Sequence, residues 1–280
     1  MLHPQIASIS ATRHILKKFN LRASKRLGQN FLIDAEVVQK IIDAAEISEG
    51  DEVLEIGPGI GTLTQGLLEA GAKVTAVELD KKLPAVLQET LDGYENFKLI
   101  QGDILKINLS ELMPQSFKVV ANLPYYITTQ ILLTLLEKKL PIKKIVTMVQ
   151  REVAERMTAQ AGSKIYGAMS VAVQFRSDAK IAFDVEPKCF LPRPEVTSSV
   201  VICDVRENKF KIDDEEFFIK VVRSSFGQRR KTILNSLIGA GFSREKILKS
   251  LEISGINFER RAETLTIEDF VNLAKNLQEF

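Results

Sequence analysis

Apolar residues change their spacing several times along this chain, and each change predicts a different element. AEVVQKIIDAA places Val37, Ile41 and Ile42 on one helical face, and Asp34 before it is a residue type that caps helix N-termini. Short apolar runs bounded by turn residues follow: DEVLEI, AKVTAVEL, FKLIQGD, FKVVANLPY and KKIVTMVQ. They alternate with helical patterns, which predicts β-α-β units and a mostly parallel sheet. After Arg151 comes one helix, REVAERMTAQ, and then strand-like segments around SVAVQF and SSVVICDV with no long helix between them. This predicts an antiparallel hairpin added to the parallel sheet. From about Glu207 the pattern is helical throughout. Asp213 with Glu216, and Thr266 with Asp269, have capping-box spacing, and Gly239 or Gly241 is placed to end the helix containing KTILNSL. A boundary is expected near Arg206 to Lys211, dividing an α/β domain (1–207) from a smaller all-helical domain (208–280).

Composition narrows the class. The 280 residues are 45% hydrophobic and 26% charged, as in ordinary globular proteins, which excludes a disordered, collagen-like or disulfide-dense chain. Basic and acidic residues nearly cancel, 38 against 36, so a protein held to nucleic acid by bulk charge is excluded. Any nucleic-acid partner must be met by local patches. One candidate is the first 33 residues, which hold six basic side chains (Arg13, Lys17, Lys18, Arg22, Lys25, Arg26) and no acid; such a run reads equally as a solvated arm. Others are Arg151, Arg156, Lys164, the run Gln228 to Lys231, whose Arg229, Arg230 and Lys231 are the foremost candidates for nucleic-acid phosphate, and Arg260 with Arg261. Cys189 and Cys203 are spaced for neither a zinc pair nor a redox motif and are expected to be reduced packing residues, with no metal site. The N-terminus lacks a signal-peptide apolar core, and the longest uncharged stretch, Val119 to Leu136, contains Asn122, Pro124, Gln130 and three threonines. A cytoplasmic protein without membrane contact is expected.

Candidate chemistry gathers at the ends of the predicted strands. VLEIGPGIGTLT puts Gly57, Gly59 and Gly61 between a strand and a helix, where glycine lets the backbone turn and approach a ligand. A glycine turn alone also suits a purely structural corner or a nicotinamide dinucleotide. The spacing G-P-G-I-G and the presence of Glu55 depart from the dinucleotide fingerprint. Glu78 ends the next strand, where a carboxylate can accept both hydroxyls of a ribose. Asp103 follows Gly102 at the end of the third and could reach an adenine amine. Ligands of open α/β sheets bind outside the carboxyl ends of the strands. The three motifs together suggest an adenosine-bearing ligand without pyrophosphate, S-adenosylmethionine.

The fourth strand runs into Asn122-Leu123-Pro124-Tyr125. An exocyclic ring amine is a poor nucleophile because its lone pair is delocalised. Neutral oxygens that accept both of its hydrogens favour the pyramidal nitrogen, and the Asn122 side chain with a backbone carbonyl at Leu123 or Pro124 would be such acceptors. Pro124 fixes the turn and Tyr125 offers a ring for a base to stack on. Phe190, which begins FLPRPEVTSS, is a candidate for the other half of an aromatic clamp around an extruded base.

These residues carry a resemblance to the bacterial small-subunit ribosomal RNA adenine dimethyltransferases. It runs through KRLGQNFLID (25–34), the glycine loop, GD (102–103), NLPYYI (122–127), VQREVAERM (149–157), SKIYGAMSV (163–171), FLPRPEVTSSV (190–200) and FGQRRKTILNSL (226–237). The resemblance implies a seven-stranded class I methyltransferase fold, Rossmann-like, with a helical C-terminal domain that contacts rRNA. It implies dimethylation, from S-adenosylmethionine, of two adjacent adenines near the 3′ end of 16S rRNA by a monomer acting in ribosome maturation. It places Asn30 and Leu32 at the cofactor beside Gly57, Gly59, Glu78, Asp103 and Asn122, gives Asn122, Leu123, Pro124 and Tyr125 the catalytic role, and gives Phe190 the base-stacking role. Related 23S rRNA methyltransferases, a non-catalytic RNA-binding factor on the same fold and a nucleotide-dependent oxidoreductase are the competing readings.

Overall fold

A computed structural model describes residues 4–206, 209–228 and 230–279, without the side chain of Lys25. The chain divides into two compact units, Met1–Ala154 with Ala179–Val205, and Glu155–Asp178 with Arg206–Phe280.

The first unit begins with α1 (Ile9–Lys18), the short strand β1 (Phe31–Leu32) and α2 (Ala35–Ala45). Strands and helices then alternate: β2 (Glu52–Ile56), α3 (Thr62–Glu69), β3 (Lys73–Glu78), α4 (Leu83–Thr90), β4 (Phe97–Gln101), α5 (Leu109–Leu112), β5 (Phe117–Asn122), α6 (Thr128–Glu137) and β6 (Ile142–Gln150). After α7 (Arg151–Thr158) and α8 (Ala168–Arg176) come β7 (Ser177–Val185), β8 (Phe190–Leu191) and β9 (Ser198–Val205).

Seven strands form one sheet in the order β4-β3-β2-β5-β6-β9-β7. The pairs β2–β3, β3–β4, β2–β5 and β5–β6 are parallel, and β9 is antiparallel to β6, opposing Val146 to Ile202 and Met148 to Val200. The chain winds outward from β2 through β3 to β4 and then returns to β5 on its other side. That reversal is the switch point at which open α/β sheets leave a crevice. The five runs read as strands from their apolar pattern are β2 to β6.

Helices cover the sheet with apolar faces. In α2, Asp34 caps the N-terminus by accepting from the N–H groups of Glu36 and Val37, while Val37, Val38, Ile41 and Ile42 are buried. Gly66 of α3 sits against α2 so closely that a Cβ there would lie 2.6 Å from Val38 and 2.7 Å from Ile42. β1 and β8 form a separate antiparallel pair, opposing Phe31 to Leu191 and Leu32 to Phe190.

One expectation fails here: SVAVQF is not a strand but most of α8. Its Val171, Val173 and Phe175 alternate as in a strand, yet Ser170, Val171, Ala172, Val173 and Phe175 are all buried. A helix enclosed on several sides loses the one-sided apolar stripe that marks helices in a sequence. The strand is the next segment, β7.

The second unit is helical. Its later part holds α9 (Glu215–Phe226), α10 (Ile233–Gly239), α11 (Arg244–Ile253) and α12 (Ile267–Glu279). Phe175 stacks on Phe218 at a centroid distance of 4.3 Å and on Phe210 at 5.6 Å. Residues 155–178 therefore belong with this unit, rather than with the α/β domain to which the expected single cut at 207/208 assigned them. Asp214, one residue after the expected Asp213, caps α9 by accepting from the Phe217 N–H. Thr266 and Asp269 form the expected reciprocal box at 3.0 and 3.1 Å. Gly241 turns the chain out of α10 with φ +91°. Among the described residues, no helix is long and apolar enough to cross a membrane.

Candidate functional site

A cleft of about 1030 Å³, counting the solvent at its mouth, opens at the carboxyl ends of β2, β3 and β5. Its walls include Asn30 and Leu32 from β1 and the segment before it, Gly57 and Gly59 after β2, Glu78 at the end of β3, Asp103 after β4, and Asn122 to Tyr125 at the end of β5. Ten predicted positions thus converge from five stretches of chain.

Gly57 and Gly59 have φ of +71° and +62°, the left-handed region open to glycine. A Cβ at Gly59 would also press on the Phe31 ring at 3.4 Å, whereas nothing of the protein stands within 4 Å of the Cβ position at Gly57. The loop is held from β3: Glu78 accepts from the Gly59 N–H at 3.4 Å through Oε2 and from the Asp80 N–H at 2.7 Å through Oε1. Burial raises the Glu78 carboxyl above its ordinary range, against those hydrogen bonds. Asp103 accepts from the Leu105 N–H at 3.1 Å.

Glu55, on β2 beneath the loop, is 1% exposed, and one of its carboxylate oxygens has no hydrogen-bond partner. Burial pushes it up to about 8, opposed by the Thr64 hydroxyl and helped by the charge of Glu78. It lines the cleft. Pattern reading marks Glu55 only as a departure from the dinucleotide motif. The signal available was an acidic residue in the middle of a strand buried on both faces, where a charge needs a partner.

Asn122 donates from Nδ2 to the backbone carbonyl of Asn30 at 3.2 Å, and Asn30 in turn donates to the carbonyl of Gly28 at 3.2 Å. The donor side of the Asn122 amide is thereby engaged and Oδ1 remains as an acceptor. The Pro124 carbonyl already accepts from the Thr128 hydroxyl at 2.8 Å and the Ile127 N–H at 3.2 Å. Leu123, whose own N–H donates to Met148 at 3.2 Å, is thus the residue of the pair with the less occupied carbonyl. Tyr125 shares a 2.6 Å hydrogen bond with the Ser198 hydroxyl, and burial raises its phenol.

Phe190 is the exception. It is 1% exposed, packs in the main core and opposes Leu32 across the β1–β8 pair, so its ring is not part of the cleft wall. The two-ring clamp expected from Tyr125 and Phe190 is not formed in this arrangement, because the cross-strand pairing turns Phe190 into the core.

The basic candidates divide. Arg26 is exposed beside the cleft. Arg151 is bridged to Asp184 at 3.3 Å, Arg260 to Asp269 at 3.3 Å and Arg261 to Glu263 at 4.0 Å. Arg156 and Lys164 also have partners. Arg230 and Lys231 are exposed, whereas Arg229 and the side chain of Lys25 lie outside the described residues. Cys189 and Cys203 are both buried, and neither is in a disulfide.

The model of the ribosomal RNA adenine dimethylase family matches residues 20–279. The ribosomal RNA small subunit methyltransferase A of Alkaliphilus oremlandii is 46% identical over 281 aligned positions, covering 98% of each chain. Among solved structures, a dimethyladenosine transferase from Plasmodium falciparum superposes with a TM-score of 0.74 at 29% identity, covering 87% of this chain and 95% of that one. The 23S rRNA methyltransferase ErmE superposes with a TM-score of 0.69 at 26% identity, covering 89% of this chain and 100% of its own. With that sheet, that cleft and these matches over nearly its full length, the chain belongs to the ribosomal RNA adenine dimethylase family.

Proposed function

We infer that the chain transfers methyl groups from S-adenosylmethionine to the exocyclic N6 amines of two adjacent adenines near the 3′ end of small-subunit ribosomal RNA, within cytoplasmic ribosome maturation. The observation that carries the chemistry is the orientation of Asn122: with Nδ2 donating to Asn30, its Oδ1 is available to accept from an amine.

The cleft's donor set fits the cofactor. Glu78 accepts ribose hydroxyls, Asp103 accepts from the adenine amine, and Gly57 leaves room for close backbone approach. The unpartnered oxygen of Glu55 suits the ammonium of an amino-acid moiety, whose arrival supplies the counter-charge that burial denies this carboxylate. Asn30 and Leu32 close the cleft from β1. Bound there, S-adenosylmethionine supplies an electrophilic methyl on a sulfonium.

The protein acts on the acceptor. Asn122 Oδ1 and the Leu123 carbonyl each take one N6 hydrogen, so the nitrogen lone pair is drawn out of ring conjugation and faces the methyl. Both acceptors are neutral, and no strong base is needed, because the nitrogen becomes acidic only after methylation and then loses its proton to water. Tyr125, fixed at its hydroxyl by Ser198, presents a stacking face to the extruded base. Phe190 supports Leu32 from the core. Holding nucleophile and methyl in line supplies much of the acceleration. For the second transfer the monomethylated amine has one hydrogen left, so a single acceptor suffices.

The 46% identity to a small-subunit enzyme over nearly the whole of both chains supports that substrate over the large-subunit RNA suggested by ErmE at 26%. The test is incubation with labelled S-adenosylmethionine and small subunits lacking the modification, followed by mapping of the labelled nucleotides. Label on two neighbouring adenines near the 3′ end is expected; label elsewhere in the small-subunit RNA, or none, overturns the reading.

A further inference from the structure

The family match begins at residue 20, yet side chains between Ile6 and Phe19 already belong to the core of the first unit. Ile6 donates its N–H to Gln65 Oε1 at 2.9 Å, and Gln65 donates back to the Pro4 carbonyl at 3.1 Å, clamping this segment to α3. Thr12 is fully buried, and Ile15, Leu16 and Phe19 pack against the core. The outward side of α1 is left to Arg13, His14, Lys17 and Lys18, all exposed. Lys18 is taken by Glu89 at 2.6 Å, near the C-terminal end of α4.

The N-terminal end of the same helix borders a second hollow, lined by Arg22, Ser24, Arg26, Gln29, Asp80 and Lys82 among others. Leu27, Gln29, Phe31 and Leu83 line both this hollow and the cofactor cleft. Its one acid is occupied: Asp80 accepts from Gln29 Nε2 at 2.9 Å through one oxygen and from the Lys82 N–H at 3.0 Å through the other. Gln29 is itself tied to the Ser24 N–H at 2.8 Å, so the loop carrying Arg22 and Arg26 is held in place. Arg22, Arg26 and Lys82 therefore face one engaged carboxylate. Glu89 at the other end of α4 is likewise satisfied.

We propose that Arg13 and Lys17 of α1, together with Arg22, Arg26 and Lys82 around the hollow, form a track along α4 that binds the phosphates of the RNA strand leading into the cleft. This rests on the reading of the chain as an RNA methyltransferase. A rigid row of cations without acid partners is what a polyanion requires, because each phosphate met releases condensed counterions. Arg13 and Lys17 stand one helical turn apart, within a Debye length of each other at physiological salt. The cofactor does not explain the hollow, since the acid there is already engaged and the single carboxylate of the cofactor's amino-acid moiety can answer at most one of three cations. The track also explains how a chain of net charge +2 holds a polyanion: its cations are gathered where the acids are few and taken.

The test uses two double variants, Arg13→Gln/Lys17→Gln and Arg22→Gln/Lys82→Gln, with Arg13→Lys/Lys17→Arg as the charge-keeping control. The probe is an RNA fragment carrying the 3′ end of small-subunit rRNA. Its binding is measured across a salt series beside cofactor affinity and thermal melting. Each Gln pair is expected to lower the magnitude of the slope of log K against log salt by about 1.4 to 1.8, two contacts at roughly 0.7 to 0.9 each. The KM for RNA should rise while kcat at saturating RNA, cofactor binding and melting stay as in the parent, and the charge-keeping control should keep the parent slope. An unchanged slope in folded, cofactor-binding variants overturns the track, as does weaker binding with the parent slope. Failure of the parent to methylate rRNA would instead sink the functional reading, while the salt slopes still decide whether the track binds RNA.

Discussion

The Asn122 side chain has one acceptor and two donors, and the backbone of Asn30 claims a donor at 3.2 Å. The amide therefore cannot flip without placing Oδ1 against a carbonyl oxygen. Asn122→Ala is expected to cut turnover by at least ~10²-fold, the scale seen when one preorganised polar group is removed from an active site. Cofactor affinity should change by less than tenfold, about 1.4 kcal/mol. Single-turnover methylation beside calorimetric cofactor binding checks both, and comparable turnover in the variant would sink the acceptor role. Tyr125 divides similarly into ring and hydroxyl. Tyr125→Phe keeps the stacking face but strands the fully buried Ser198 hydroxyl, costing about 1–3 kcal/mol of stability. Tyr125→Ala loses the face as well. Turnover in Tyr125→Phe should therefore exceed that in Tyr125→Ala, and equal rates would argue against stacking.

At the scale of elements, the contact of α2 with α3 depends on an absent side chain. Gly66→Ala would place its Cβ 2.6 Å from Val38 and 2.7 Å from Ile42, closer than packed carbons stand. Although alanine is the better helix former, overpacking should win and cost about 1–3 kcal/mol in denaturant unfolding. Gain of stability there would mean that α2 shifts freely. The strands were legible because they are short apolar runs cut by turn residues, and α2 was legible because one side of it stays wet. α8 was misread because burial on several sides erased its period. The same contrast governs the site. The glycine loop, Glu78, Asp103 and Asn122 stand at strand ends, a place that the β-α-β pattern itself predicts. Asn30 and Leu32 reach the cleft through pairing of β1 with β8, a contact across 160 residues between Phe31 and Leu191 that no local pattern encodes. Only the family resemblance pointed to them. Phe190 belongs to that same pairing, which is why its inward orientation escaped the reading of its motif.

For the whole molecule, ionisable groups pull stability in opposite directions with pH. Near the amino end of β6, Lys144 bonds Glu46 at 2.7 Å and holds its carboxyl low. Burial would raise Asp51, but the Lys118 ammonium at 2.8 Å outweighs it and the group titrates low. Lys209 and then Arg206 hold Asp178 low in the second unit. Such groups stabilise above their unfolded values of 4.5 and 3.8, and that contribution fades as pH falls through the folded values. Glu46 and Asp178 are well exposed, so each adds little. Glu55 has the reverse sign: raised from 4.5 to about 8, it binds a proton in the folded state that the unfolded chain has lost, so stability falls as pH rises from 4.5 towards 8. The cofactor-free protein should therefore melt highest in mildly acidic buffer, between about pH 4.5 and 6. Glu55→Gln should remove most of this decline, on the order of 3–5 kcal/mol before relaxation and water entry reduce it, and leave the part that the raised Glu78 contributes. Melting curves of both forms from pH 4 to 9 check this; parallel profiles would show that Glu55 is ionised in the folded state.

The short pair β1–β8 also sets a timetable for synthesis. β1 leaves the ribosome early, but the strand it needs is not translated until residues 190–191. β6 likewise waits for β9 before its open edge is covered. The glycine loop and the ends of β3 and β5 can assemble from the first half of the chain, while the wall that carries Asn30 and Leu32 cannot. A nascent chain halted before residue 190 would have most of the residues of the cleft but not the partner strand that closes it. The last step in building the cleft is thus tied to translation of the later part of the polypeptide, which separates the appearance of the strands from the appearance of a closed cleft.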